Sequence, residues 1–129
     1  MADAVLVVDD NIEVRVMMDQ CLHMAGFAPI SVPNGREALR LLKAGAPVKV
    51  ILLDLIMPVM DGWSFRRHQL NDPEIAHIPV IAFSAAEHMR CEELNPAAVF
   101  RKPLPLDDVV AVVRRLCDDP SLVETPGPE

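Results

Sequence analysis

Five short apolar runs alternate with five segments whose apolar residues recur at helical spacing. This alternation constrains the fold more than any other feature of the chain. The runs are Ala4–Val8, Phe27–Val32, Val48–Asp54, Ile78–Phe83 and Ala97–Arg101. The periodic segments are Ile12–Ala25, Arg36–Ala44, Trp63–Leu70, Glu87–Leu94 and Leu106–Cys117. Local signals punctuate them. Asn11 offers an N-cap, Gly26 and Gly45 stand where helices stop, and Pro33-Asn34-Gly35 is turn chemistry. Pro29 favours a place near the sheet edge for the second strand. Val48–Asp54 is apolar on both faces, as a central parallel strand must be. Strand and helix in strict alternation imply a parallel sheet covered on both faces and joined by right-handed crossovers.

In such a sheet the functional crevice lies beyond the carboxyl ends of the strands, at the topological switch point. The third run delivers Asp54 to that edge. The first is followed by Asp9 and Asp10, the fourth by Ser84, and the fifth by Lys102 ahead of Pro103. Each residue alone has an ordinary explanation: an acid as a helix cap or turn residue, a serine as a cap, a Lys-Pro pair as a loop. Their joint occurrence at strand ends of one alternating fold is far less ordinary. Three carboxylates so close require a cation, and oxygen ligands in a partly solvated site suit Mg²⁺, with Mn²⁺ as a substitute. A carboxylate beside the metal can attack phosphorus, while a hydroxyl and an ammonium hold the phosphoryl oxygens.

Composition narrows the partners. The 129 residues suffice for one domain with its own core, and 51% apolar with 24% charged residues is ordinary for a globular protein. A net charge of −7 argues against direct binding to nucleic acid but leaves room for a protein partner with a basic face. No stretch reaches the about 20 apolar residues of a membrane span, and the acidic start "MADAVLVVDDN" is no secretory signal, so a cytoplasmic location is expected. Cys21, Cys91 and Cys117 lack metal or redox spacing and are read as free thiols. The Pro- and Gly-containing tail 118–129 is expected to be disordered, leaving residues 1–117 as the domain.

The segments "VLVVDDN", "VILLDLIMPVMDGW", "VIAFSA" and "VFRKPL" together resemble a response-regulator receiver domain of bacterial two-component signalling, of the single-domain, chemotaxis-regulator-like kind. The resemblance spans Val5 to about Cys117. It implies a flavodoxin-like doubly wound (βα)5 fold with sheet order 2-1-3-4-5. It implies Asp54 as phosphoacceptor, Mg²⁺ held by Asp9, Asp10, Asp54 and the backbone carbonyl of Ile56, and Ser84 and Lys102 on the phosphoryl group. It also implies a cis peptide before Pro103, with Pro58 and Gly62 shaping the loop after Asp54. The phosphodonor would be a histidine kinase or histidine phosphotransfer protein, and the output contact with a downstream protein. The chain would be no enzyme beyond its own phosphorylation and dephosphorylation.

Departures from the family pattern bear on switching. An aromatic residue usually stands three places before the lysine; here that place is Val99, and Phe100 falls on the opposite face of the strand. The segment from Ser84 to Lys102 is shorter than usual by about one helical turn. The compensating movement is therefore expected in Ala85–Pro96. Ile56 and Ala86 flank the path of a hydrolytic water in the family, and neither side chain can hydrogen-bond one, so slow self-dephosphorylation is expected. Three rival readings accompany this one. They are a pseudo-receiver that works without phosphorylation, a receiver excised from a larger hybrid kinase or regulator, and an aspartyl-phosphate phosphatase. The last usually carries a second acid two residues after its nucleophile, where this chain has Ile56.

Overall fold

The computed structural model describes residues 2–84 and 94–119. Five strands, β1 (Ala4–Val8), β2 (Ala28–Val32), β3 (Val48–Asp54), β4 (Val80–Ser84) and β5 (Ala98–Arg101), form one sheet in the order β2-β1-β3-β4-β5. Every neighbouring pair is parallel. Among the described residues there are four helices, α1 (Ile12–Met24), α2 (Gly35–Lys43), α3 (Gly62–Leu70) and α4 (Leu106–Asp118). This is the flavodoxin-like doubly wound arrangement, with the chain reversing its direction of travel across the sheet between β1 and β3. The helix expected at Glu87–Leu94 and the position Ala86 fall on residues 85–93, outside the described residues, except for Leu94 itself.

The two faces of the sheet follow from alternation along β3. Ile51 and Leu53 join Ala38, Leu39 and Leu42 of α2 and Phe65 of α3 in one core. Val50 and Leu52 join Met18 and Leu22 of α1 and Val109, Val113 and Leu116 of α4 in the other. Past the exposed Lys49 the strand is buried on both faces and has no polar side, which is why Val50–Leu53 is continuously apolar until Asp54. β2 lies at the edge, where Pro29 removes no needed donor.

Caps set the helix ends. The Asn11 side chain accepts from the amides of Glu13 and Val14, that of Asn34 from Glu37, and that of Asp61 from Ser64. The cap at Asn34 starts α2 at Gly35, one residue before the periodicity alone placed it. After α1, the Gly26 amide donates to His23 O and the Phe27 amide to Leu22 O, with Gly26 at φ +96°. This paired closure commits Phe27 to the helix terminus, so β2 begins at Ala28 and not at Phe27. Strand β4 likewise starts at Val80, after Pro79, and extends to Ser84, one residue past expectation, because Ser84 still pairs with Arg101 of β5. Helix α4 runs through Asp118, so the expected boundary at Cys117 falls within its last turn.

Candidate functional site

The carboxyl ends of β1, β3, β4 and β5 bring Asp9, Asp10, Asp54, Ser84 and Lys102 to one edge of the sheet. Asp9 extends β1 by one rung, its amide donating to Val32 O at 3.2 Å. Its side chain is fully buried, whereas Asp10 beside it is exposed. Asp9 Oδ1 accepts from the Asn11 amide at 2.8 Å, and the Asp9 carbonyl accepts from the Arg15 guanidinium at 2.6 Å. Asp54 closes β3 and is also buried, with Oδ1 accepting from the Ile56 amide at 3.2 Å. The loop carrying Ile56 is pinned on both sides, by Leu55 N to Phe83 O at 3.0 Å and by Gly62 N to Leu55 O at 2.9 Å. Ser84 is buried at the end of β4. Its carbonyl accepts from the amide of Lys102 at 3.0 Å, which carries the β4–β5 ladder past Arg101 and sets Lys102 beside the acids. The Lys102–Pro103 peptide is cis.

Lys102 Nζ lies 3.2 Å from Asp9 Oδ2 and 3.4 Å from Asp54 Oδ2. Among the described residues Lys102 is the cation that pairs with these carboxylates, one positive charge against three acids. Burial, foremost, and the charge of Asp9 push the Asp54 carboxyl up from 3.8 to about 6. The Ile56 amide and Lys102 pull it down but do not outweigh them. Burial also disfavours the Lys102 ammonium, yet Asp54 and Asp9 together hold its pKa above the ordinary value.

These strains are those of a cation site. Asp9 Oδ2 is buried and receives no hydrogen bond, its approach to Lys102 being an ion pair without hydrogen-bond geometry. One oxygen each from Asp9, Asp10 and Asp54 lies within 4.8 Å of the others, a cluster that could hold one divalent cation. Hard oxygen donors, with exposed Asp10 open to water, fit a cation that keeps part of its hydration shell.

Other residues singled out in the sequence stand apart from this centre. Phe100 of β5 packs against the core shared by α1 and α4. Val99, half-buried, alternates to the opposite face. Ile56 exposes 55% of its surface, and its amide donates to Asp54 Oδ1. Ala86 is outside the described residues. Two features went unread in the sequence. The ring of Phe83 lies under Lys102, with Nζ 5.6 Å from its centroid. Arg66 is buried in α3 and donates to Leu94 O, Asn95 O and Gln69 Oε1. A basic residue on a helix carries no sign that it will turn inward.

Comparison with known proteins agrees with this geometry. A family model described as the response regulator receiver domain matches residues 5–114. The sporulation initiation phosphotransferase F of Bacillus subtilis is 26% identical over 117 residues, covering 89% of this chain and 94% of that protein. The sensor histidine kinase CheAY of Helicobacter pylori is 30% identical over 116 residues, covering 86% of this chain but only 14% of the kinase. The signal receiver domain of a signal transduction histidine kinase from Syntrophus aciditrophicus superposes with a TM-score of 0.85 at 28% identity, covering 96% of each chain. No helix among the described residues is long and apolar enough to cross a membrane. The chain belongs to the response-regulator receiver family and is a receiver domain of two-component signalling.

Proposed function

We propose that this chain is a stand-alone receiver whose Asp54 accepts a phosphoryl group from a phosphohistidine on a histidine kinase or phosphotransfer protein. The observation that carries the reading is the buried pair Asp9 and Asp54, joined by Lys102 and left with an unsatisfied carboxylate oxygen. Mg²⁺ held by Asp9, Asp10, Asp54 and the Ile56 carbonyl would neutralise the acids and draw in the phosphoryl oxygens. Asp54 supplies the attacking oxygen. A P–O bond forms as the donor's P–N bond breaks, and the imidazole nitrogen keeps that electron pair. Ser84 and Lys102 take the remaining oxygens by hydrogen bond and charge. The chain catalyses only this transfer and the later loss of the group to water. It signals in the cytoplasm through altered contacts with a downstream protein.

The stand-alone form is proposed by analogy with sporulation initiation phosphotransferase F, a relative of about the size of a receiver domain. The partial match to the CheAY kinase favours a second reading, a receiver belonging to a larger hybrid protein. The mass of the product in its own cells separates the two. Phosphoryl transfer itself is tested with acetyl phosphate and intact-mass measurement. Labelling should require Mg²⁺ and disappear in Asp54→Asn. Equal labelling of that variant, or labelling in excess chelator, overturns the assignment.

A further inference from the structure

The ammonium of Lys102 is held from three directions, only two of which are carboxylates. Nζ stands 3.2 Å from Asp9 Oδ2, 3.4 Å from Asp54 Oδ2 and 5.6 Å from the centroid of the Phe83 ring. A cation this close to an aromatic face is attracted by the ring quadrupole, the more strongly as water is excluded. Lys102 is largely shielded, its side chain 24% exposed, and Phe83 is 1% exposed. Phe83 pairs in register with Asp54 of β3 on one side and Phe100 of β5 on the other. Its ring belongs to the core of Met18, Leu22, Val109 and Val113, so packing fixes it in place. An aliphatic residue there would leave the ammonium with the acids alone.

We propose that Phe83 is a positioning residue for phosphoryl transfer, its ring face holding the Lys102 ammonium at the site while the acids are occupied elsewhere. The argument turns on competition. A divalent cation on Asp9 and Asp54 weakens the hold of both carboxylates on Lys102 and repels the ammonium as well. The ring binds no such ion and keeps its attraction. Lys102 then stays within reach of an incoming phosphoryl oxygen without an added carboxylate competing for it. The transfer step rests on the function proposed above; the Lys102–ring contact does not.

Replacing Phe83 with 3,4,5-trifluorophenylalanine keeps the shape and drains the ring face of electron density; Phe83→Leu removes the face altogether. In the native chain with Mg²⁺, the Lys102 ε-methylene protons should carry an upfield ring-current shift. That shift should be lost in Phe83→Leu and reduced in the fluorinated protein as the ammonium leaves the ring. Mg²⁺-dependent labelling by acetyl phosphate should fall roughly three- to tenfold in the fluorinated protein, at an unchanged melting temperature. A fluorinated protein matching the native one in both the lysine shift and the labelling rate overturns the proposal. If the native chain takes no phosphoryl group at all, the functional reading fails, and the lysine shift alone decides whether the ring holds the ammonium.

Discussion

The amide of Gly62 donates to the carbonyl of Leu55 at 2.9 Å, so the first residue of α3 is tied to the backbone just after Asp54. The approach leaves no room for a side chain. A Cβ at Gly62 would lie 2.7 Å from Leu55 Cα and 2.9 Å from Asp54 O, both backbone atoms that cannot swing aside. Gly62→Ala should cost about 2–4 kcal/mol in urea denaturation and weaken Mg²⁺ binding by displacing Asp54. Gly45→Ala is the control. At φ +95° with nothing within 4 Å, it should cost only the left-handed backbone, about 1–2 kcal/mol, and leave Mg²⁺ affinity alone. Equal Mg²⁺ affinity in the two variants would remove Gly62 from the support of the site.

Val59 lies in the same loop with φ 70°, and the Met60 amide donates to Pro58 O at 2.7 Å across it. A β-branched residue in this tight turn is strained. Its side chain is 66% exposed, so little burial compensates. Val59→Asn should stabilise the protein by about 1 kcal/mol, since asparagine tolerates positive φ. A variant less stable than the native chain would mean that the valine makes a contact worth more than the strain.

Asp54 should make stability depend on pH in an unusual direction. Its carboxyl is raised to about 6 from 3.8, chiefly by burial and then by Asp9. Between these values the folded protein keeps a proton that the unfolded chain has lost. Stability contributed by this group is therefore full below pH 3.8 and falls as pH rises through about 6. Asp54→Asn removes the penalty. Without metal the variant should be more stable by about 1–3 kcal/mol at pH 8, with the advantage fading towards pH 4. Saturating Mg²⁺ should stabilise the native chain and narrow the gap, by about 2.7 kcal/mol at a hundred times Kd. Denaturation series from pH 4 to 8, with chelator and with Mg²⁺, would show it. An advantage that grows as pH falls would contradict the burial argument.

Arg66 ties α3 to the segment that leads into β5. It is 4% exposed, and its donors reach Leu94 O at 2.8 Å, Asn95 O at 3.1 Å and Gln69 Oε1 at 2.7 Å. Gln69 in turn donates to Ile75 O and Ile78 O. Burial lowers the guanidinium to about 10, which leaves it charged at neutral pH. Arg66→Met fills similar volume but orphans these acceptors. It should cost about 2–4 kcal/mol, against under about 1 kcal/mol for Arg67→Met on the exposed face. Similar costs for the two would show that the buried network adds no net stability.

The strands were legible because short apolar runs alternate with helical periodicity, and the run into Asp54 marks β3 as central; their order came from the family resemblance. Asp9, Asp10, Asp54, Ser84 and Lys102 were legible for a related reason: polar residues directly after apolar runs stand out by contrast. Arg66 and Phe83 were not. An arginine in a helix looks solvated until carbonyls from Leu94 and Asn95 turn towards it, a contact across 28 residues of chain. Phe83 fills the core, as any apolar residue of a buried strand would; only the fold puts Lys102 above its ring. The positive φ of Val59 was hidden too, since valine is the residue least expected there.

Ile56 bears on how long a phosphoryl group would last. Its amide holds Asp54 Oδ1 at 3.2 Å, and its side chain stands 55% exposed beside the acid. Hydrolysis needs a water aligned with the bond from Asp54 to phosphorus. A polar side chain at this place can orient that water, whereas a branched aliphatic one offers no hydrogen bond and covers the approach. Ile56→Asn should therefore speed self-dephosphorylation several-fold while the native chain holds the group for far longer than seconds. Because the side chain is mostly exposed, the change in folding stability should stay within about 0.5 kcal/mol. Phosphoryl loss can be followed by intact mass after removal of acetyl phosphate, at fixed Mg²⁺. A native group that vanishes within seconds, or an asparagine variant that keeps it longer, would place the control of lifetime in a residue other than Ile56.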